Sequence, residues 1–160
     1  MNVLVVYDTQ FGNTEQVARV IASHLEPLGI VRLISVSDEA AVDLDNVDLL
    51  VIGGPTQGHG ARKQLRDWVN RIPAEAALGL ATATFDTRLH WPALIAGSAA
   101  RTIAKPLENL GANLLVRPES FFVQGTEGPL AEGEIDRAAA WAGDLASKCS
   151  EAAITASLGG

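Results

Sequence analysis

Residues 3–14 read Val-Leu-Val-Val-Tyr-Asp-Thr-Gln-Phe-Gly-Asn-Thr, a short apolar run that leads through a polar loop into a helix. The run from Val3 to Tyr7 is apolar on both faces, as expected of a strand buried within a parallel sheet. Apolar residues then recur at helical spacing, at Val17, Val20, Ile21 and Leu25. The order of strand, polar loop and helix predicts a ligand-binding loop before residue 14.

This loop has the chemistry of an anion site that works without a cation. Thr9 and Thr14 supply hydroxyls, and Gly12 allows tight curvature of the backbone. The first amides of the following helix have no intrahelical acceptor. No Lys or Arg occurs from Thr9 to Thr14. A bound phosphate would therefore be held by backbone N–H groups, hydroxyls and the positive end of the helix dipole.

The composition indicates one globular domain. The chain has 160 residues, of which 48% are hydrophobic and 19% charged, and this balance is typical of folded proteins. We predict a single domain over 1–155 and a frayed tail over 156–160. No apolar stretch approaches the roughly 20 residues of a membrane span, and no leader precedes the first strand, so we expect no membrane insertion and a cytoplasmic location. The formal charge of −7 argues against nucleic-acid binding.

Apolar runs alternate with amphipathic segments along the chain. The predicted strands are 2–7, 31–36, 47–53, 79–85 and 113–116 with 121–123. The predicted helices are 13–26, 61–72, 97–110 and 132–150, and the acidic stretch 38–46 is predicted to form only a turn or a short helix. This β-α-β repetition predicts an α/β fold, a doubly wound five-stranded parallel sheet with helices on both faces. The loops 8–14, 54–60 and 86–96 would then meet at the carboxyl ends of the strands, where such sheets bind ligands.

The motifs in these loops resemble those of the flavodoxin family. Thr9-Gln10-Phe11-Gly12-Asn13-Thr14 is similar to the family's phosphate loop, and Gly53-Gly54-Pro55-Thr56-Gln57-Gly58 is similar to its second flavin loop. Phe85-Asp86-Thr87 lies where the third loop begins, and 106–112 resembles the turn into the fifth strand. The resemblance covers essentially the whole chain. It implies the strand order 2-1-3-4-5 and FMN as the cofactor.

The resemblance also implies which residues contact FMN. Thr9 and Thr14 would bond the phosphate, and the amides of Gln10, Phe11, Gly12 and Asn13 would complete its cradle. The second and third loops would flank the ring with Pro55, Thr56, Gln57, Gly58, His59, Gly60, Phe85, Asp86, Thr87, Arg88 and Trp91. We predict no metal site, because His59 and His90 have no further His or Cys to join them.

The aromatic residues depart from the family pattern. Gln57 stands where the family commonly has a tryptophan, and the third loop, 86–92, contains no tyrosine. Trp91 fits no helical or strand period, so we expect it to pack over or near the flavin; the alternative is that it only covers the sheet edge. Trp68 and Trp141 lie on the apolar faces of predicted helices, which indicates the core. Cys149 continues such a stripe and is predicted to be a buried thiol.

Arg88 is the one cation in the three loops. Beside the pyrimidine edge of the flavin, its guanidinium would stabilise negative charge on the reduced cofactor. The alternative is an ion pair with Asp86 or Asp8. The sequence leaves both open.

Two functions are consistent with the predicted FMN site. The first is an FMN redox carrier that passes electrons between a reductase and an acceptor enzyme. The second is an FMN oxidoreductase that acts directly on a quinone or a similar acceptor, since no clear aromatic pair covers the ring. A receiver domain is excluded because Gly53-Gly54 stands where its aspartate would end the third strand. A P-loop hydrolase is excluded because His59 stands where that motif has lysine, and the dinucleotide motif G-x-G-x-x-G is absent.

Overall fold

The computed structural model describes residues 1–38 and 41–160. Glu39 and Ala40, part of the predicted turn or short helix at 38–46, lie outside the described residues. The strands are β1 (Asn2–Tyr7), β2 (Ile30–Ser35), β3 (Leu49–Gln57), β4 (Gly60–Ala61), β5 (Ala81–Leu89), β6 (Asn113–Leu114) and β7 (Glu119–Val123). The α-helices are α1 (Asn13–Leu25), α2 (Lys63–Asn70), α3 (Ala74–Ala77), α4 (Ala93–Ala96), α5 (Ala99–Asn109) and α6 (Glu134–Leu158). Short 3-10 turns occupy Glu26–Leu28 and Val36–Asp38.

The sheet has the predicted order. Within the described ranges, β2, β1, β3 and β5 lie side by side and parallel, so that Val5 pairs with Leu33 on one side and Val51 on the other. The fifth position is shared by two short strands, since β6 pairs with the start of β5 and β7 pairs with its end. The order 2-1-3-4-5 predicted from the sequence is therefore confirmed.

Helices cover both faces of this sheet. Alternate residues of β1 point to opposite sides, so that Val3 and Val5 join a core with α1 and α6, while Leu4 and Val6 join a core with α2 and α5. Trp141 and Cys149 are buried in the first core, and Trp68 in the second. The predictions for these three side chains are confirmed. None of the helices in the described residues has the length and apolar composition needed to cross a membrane.

Several elements differ from the prediction at their ends. β3 and β5 run to Gln57 and Leu89, four residues further than predicted for each, because their ends find partners in β4 and β7. The helix predicted from 61 begins at Lys63, since Gly60–Ala61 forms β4. α6 continues to Leu158 through residues that favour helix, so 156–158 is helical rather than irregular. Fraying of this exposed end stays a prediction.

Candidate functional site

A cleft with a volume of about 250 Å³ opens beyond the carboxyl ends of β1, β3 and β5. This edge is where doubly wound sheets bind their ligands. The cleft brings together most of the predicted site residues: Thr9, Gln10, Phe11, Asn13, Thr14, Pro55, Thr56, Gln57, Gly58, His59, Thr87, Arg88 and Trp91. Three loops that are distant in the sequence therefore form one site.

The first loop is built around Gly12. Its φ of 90° and ψ of −4° place it in the left-handed region directly before α1, where glycine is favoured because it has no Cβ. A Cβ on Gly12 would meet no atom within 4 Å, so the backbone angle rather than lack of space requires glycine. The Gly12 amide donates to Thr9 Oγ1 at 3.0 Å and closes the loop.

The start of α1 keeps donors available for an anion. The amides of Asn13, Thr14 and Glu15 are the first of the helix and have no intrahelical acceptor. Asn13 and Thr14 also line the cleft. Uncompensated amides at a helix N-terminus bind phosphate without a positive side chain. The loop can therefore hold a phosphate monoester by neutral donors.

Two side-chain contacts tie this loop to the rest of the site. Thr14 Oγ1 lies 2.7 Å from Thr87 Oγ1 at the end of β5. Asn13 Nδ2 donates to the Glu127 carbonyl oxygen at 3.1 Å. The second contact involves the loop 124–131, which follows β7. Thr126 of this loop lines the cleft.

Part of the cleft wall was not predicted from the sequence, namely Leu89, Ile95, Ala96, Val123 and Thr126. The sequence did contain a signal for Val123 and Thr126. Gly125-Thr126-Glu127-Gly128-Pro129 is turn-forming and follows the final strand, so it too had to lie at the carboxyl edge of a parallel sheet. Leu89 and Ile95 have no comparable signal, because their place depends on how far β5 extends.

The second loop is anchored on both sides of the cleft. Gln57 Nε2 donates to Gln10 Oε1 and joins the second loop to the first. On the other side the loop packs against residue 97, where a Cβ would lie 2.0 Å from the His59 carbonyl oxygen. Only glycine fits at 97, and His59 itself adopts a φ of 71°. The side chain of Gln57 thus bridges two loops at the position where the family commonly has an aromatic ring.

Four of the predicted site residues do not line the cleft, and two of them belong to the third loop. Phe85 is fully buried in the core, with its ring centroid 6.2 Å from that of Phe121 and 6.2 Å from that of Trp141. Asp86 is also fully buried, and its carboxylate accepts from Ser98 Oγ at 2.5 Å and from the Ala100 amide at 3.0 Å. Because β5 continues to Leu89, both side chains lie inside the sheet and away from the cleft. Whether their backbone contacts FMN stays a prediction.

The other two residues outside the cleft lining are glycines, and their contact with FMN stays a prediction. Gly12 shapes the first loop as described above, while its own atoms lie outside the cleft lining. Gly60 belongs to β4, and a Cβ there would lie 2.9 Å from Thr102 Oγ1. Gly60 is therefore a close-packing position between the second loop and α5.

Arg88 lies at the cleft and also forms one of the ion pairs that the sequence left open. It lines the cleft, and its Nε lies 3.9 Å from Asp86 Oδ1 while donating to Ser120 Oγ at 2.9 Å. Its Nη1 donates to the Trp91 carbonyl oxygen at 2.6 Å. The ion pair forms with Asp86 and not with Asp8. The guanidinium is therefore held in place at the wall of the cleft.

Asp8 has a different partner. Its carboxylate is buried behind the first loop, with Oδ2 3.4 Å from Arg62 Nε. Burial raises the pKa of Asp8, and the Arg62 charge opposes this rise. The pair lies beside the loops without entering the cleft.

The mouth of the cleft is apolar and accessible to solvent. Phe11, Trp91 and Ile95 line the cleft and are 44%, 57% and 60% exposed. Leu94, next to Ile95 in α4, is 99% exposed. Large apolar side chains grouped at the rim of a cleft are typical of a binding surface.

The sequence matches the family model described as flavodoxin over residues 5–141. No curated protein matches it. Similar solved structures include Flavodoxin 2 from Bacillus cereus, with a TM-score of 0.77, 22% identity, and coverage of 92% of this chain and 99% of that chain. A flavodoxin, WrbA-like protein from Agrobacterium tumefaciens has a TM-score of 0.73 and 17% identity over 94% of this chain and 98% of that one. Rubredoxin oxygen:oxidoreductase from Desulfovibrio gigas has the same TM-score, 0.73, and 17% identity over 94% of this chain and 36% of its own.

Proposed function

This chain belongs to the flavodoxin family, and we propose that it binds one FMN in the cleft and carries electrons between a reductase and an acceptor protein. The observation that carries this proposal is the first loop. Its hydroxyls and the amides of Asn13, Thr14 and Glu15 form a neutral phosphate cradle at the end of a cleft walled by two further loops.

The residues present fit FMN in chemistry. Thr9, Asn13 and Thr14 would hold the phosphate, while the apolar walls and the backbone of the second loop would hold the ring. When bound, the flavin supplies electron transfer, and the protein tunes its potential through contacts and charge.

The chain's own residues perform three tasks in this proposal. Gln57 joins the first two loops and so sets the width of the cleft. Arg88 places one positive charge at the wall, held by Asp86 and Ser120. Trp91 and Phe11 stand at the mouth and would shield part of the ring from water.

The test is to identify the bound flavin and measure what the apoprotein takes up. Flavin extracted from the purified protein should be FMN by chromatography. Apoprotein titrated with FMN, riboflavin and FAD should bind FMN tightly, and riboflavin much more weakly because it lacks the phosphate. Recovery of FAD, or no uptake of FMN at micromolar concentration, would contradict the proposal.

The apolar mouth favours a second candidate, an FMN oxidoreductase that reduces a quinone or a similar acceptor directly. Phe11, Trp91 and Ile95 would cover an apolar substrate beside the ring. Single-turnover oxidation of the reduced protein by a soluble benzoquinone separates the candidates. A rate that saturates with quinone concentration, and loses saturation in Trp91→Ala, indicates a substrate site; a linear dependence in both proteins indicates a carrier.

A further inference from the structure

Charge is divided unevenly along this chain. Residues 62–105 contain seven of the twelve Lys and Arg residues but only three of the nineteen Asp and Glu residues. This segment has a formal charge of +4, and the remainder of the chain has a charge of −11. The net charge of −7 therefore conceals a local excess of positive charge.

The fold collects these cations on one side of the molecule. α2 and α5 pack side by side on the same face of the sheet. Their exposed cations are Lys63, Arg66, Arg101 and Lys105, which we call the basic face. The same helices also expose two acids, Asp67 and Glu108, so the four cations leave a formal charge of +2. The opposite side is formed by α1 and α6, and it exposes Asp136, Asp144 and Glu151 together with Arg19 and Lys148.

The basic face retains charge for a partner. Arg66, Arg101 and Lys105 form no ion pair with any residue in the described parts of the chain. Lys63 pairs with Asp67 at 2.6 Å, where both side chains are exposed. An exposed pair of this kind is weak and readily exchanged.

The basic face begins at the rim of the candidate cofactor site. A shallow groove runs along Gly60, Arg62, Lys63 and Arg66, and it shares Gln57 and Gly58 with the cleft. The second loop also packs on the first turn of α5, since Gly60 contacts Thr102, next to Arg101. A protein seated on this face would therefore touch the second loop.

We propose that the basic face docks a redox protein whose own surface is acidic, and this inference rests on the proposed electron-carrier function. The acids exposed on α6 lie across a sheet layer and a helix layer from the basic face, each layer about 10 Å thick, whereas ions screen charges over about 8 Å in physiological salt. A partner at the second loop therefore experiences the local cations more than the net charge. Charge complementarity of this type steers association and fixes orientation.

The experiment uses two forms of one probe protein. Native cytochrome c is basic, and succinylated cytochrome c, whose lysines carry added carboxylates, is acidic with the same haem. Reduction of each by the FMN-loaded, reduced protein is followed by stopped flow at low and high ionic strength. Binding of each form to the protein is measured separately by calorimetry, which requires no flavin and so separates failed docking from failed FMN binding.

At low ionic strength the succinylated form should be reduced faster than the native form by roughly tenfold or more, and bind more tightly, with both differences fading in high salt. Arg66→Glu/Arg101→Glu should reverse this preference. The matched control Arg117→Glu/Lys148→Glu makes the same change in net charge at exposed cations away from α2 and α5 and should preserve it. Glu is tolerated in the first turns of helices, and the FMN content and circular dichroism of each variant verify its fold.

Three results would overturn the proposal. One is a wild-type preference for native cytochrome c at low salt. Another is an equal effect of the two double variants, which would mean that net charge alone decides. The third is tighter binding of a DNA duplex than of the succinylated probe, which would assign the basic face to nucleic acid.

Discussion

The hydroxyl oxygens of Thr14 and Thr87 lie 2.7 Å apart, with both side chains buried, and join the start of α1 to the end of β5. Each residue also lines the cleft. In such a pair one hydroxyl donates to the other, so one O–H hydrogen remains for a different acceptor. The pair therefore provides a single donor at the phosphate end of the proposed FMN site.

We expect Thr14→Ala to weaken FMN binding by roughly 1–3 kcal/mol, since a phosphate oxygen loses a charge-assisted partner. Fluorescence titration of the apoprotein measures this. Riboflavin binding should change little, because riboflavin has no phosphate. Thr82→Ala, which removes a buried hydroxyl of β5 bonded to the Leu80 carbonyl, is the matched control and should leave FMN affinity unchanged. An equal loss for FMN and riboflavin in Thr14→Ala would place the phosphate elsewhere.

The same pair predicts a coupling between the two threonines. Thr87→Ala should also weaken FMN binding, because the hydrogen bond between the two hydroxyls is lost when either threonine is replaced. The double variant should lose less than the sum of the single losses, by roughly 0.5 kcal/mol or more. Strictly additive losses of FMN affinity in this double-mutant cycle would show that the two hydroxyls act independently on the ligand.

Trp91 should be the tryptophan that responds to FMN. It is 57% exposed at the mouth of the cleft, whereas Trp68 and Trp141 are buried in the two cores. FMN binding should quench part of the tryptophan emission in the wild type, and Trp91→Ala should remove much of that quenching and brighten the bound flavin. Unchanged quenching and flavin emission in Trp91→Ala would make this side chain a cover for the sheet edge only.

Arg88→Ala should lower the reduction potential of bound FMN. The variant removes one positive charge at the cleft wall and leaves the buried Asp86 carboxylate 3.9 Å away without that partner. With an effective dielectric constant near 40 and a separation of about 8 Å, one charge changes the energy by about 1 kcal/mol, or about 40 mV for one electron. Spectroelectrochemical titration measures the shift.

A second variant separates charge from structure at this position. Arg88→Ala/Asp86→Asn removes both members of the ion pair, so the potential should return toward the wild-type value. An unchanged potential in Arg88→Ala would contradict the prediction that this guanidinium raises the potential. A potential that stays low in the double variant would point to altered loop geometry.

Glu134 should make the fold sensitive to acid. Burial alone would raise its pKa, but hydrogen bonds from Arg137 and the Phe122 amide outweigh burial, and the pKa is lowered from 4.5. A carboxyl whose pKa is lower in the folded state stabilises the fold above its unfolded pKa, and this stabilisation is lost as pH falls through the folded pKa. The carboxylate accepts from the Phe122 amide at 2.7 Å and so holds α6 against the outer edge of β7.

Urea unfolding at several pH values tests whether Glu134 makes the fold sensitive to acid. Between about pH 6 and about pH 3 the wild type should lose more stability than Glu134→Gln, which keeps an acceptor but has no charge to lose. Glu132→Gln, an exposed acid two residues earlier, is the control and should follow the wild type. Identical pH profiles for Glu134→Gln and wild type would exclude this carboxylate as a source of acid lability.

Much of the site was readable from local sequence. The apolar run before residue 8, the hydroxyls at Thr9 and Thr14, and the stripe of α1 each reflect short-range rules of strand burial, turn chemistry and helix period. These rules act over a few residues, so they predicted the first loop and the alternation of strands and helices, whereas the strand order was implied by the resemblance to the flavodoxin family. The buried positions of Trp68 and Trp141 followed from the same helical period.

Tertiary structure alone decided which residues of the third loop face the cleft. Phe85 and Asp86 lie inside the sheet because β5 pairs with β7, whose residues come more than thirty positions later. The same pairing brings Ser120 to Arg88, and the loop 124–131 reaches Asn13 across most of the chain. Sequence by itself determined where the chain can turn, become a strand or begin a helix, since these depend on neighbouring residues. How far a strand extends, and which partner a buried charge finds, depends on contacts between distant segments that form only when the whole sheet is assembled.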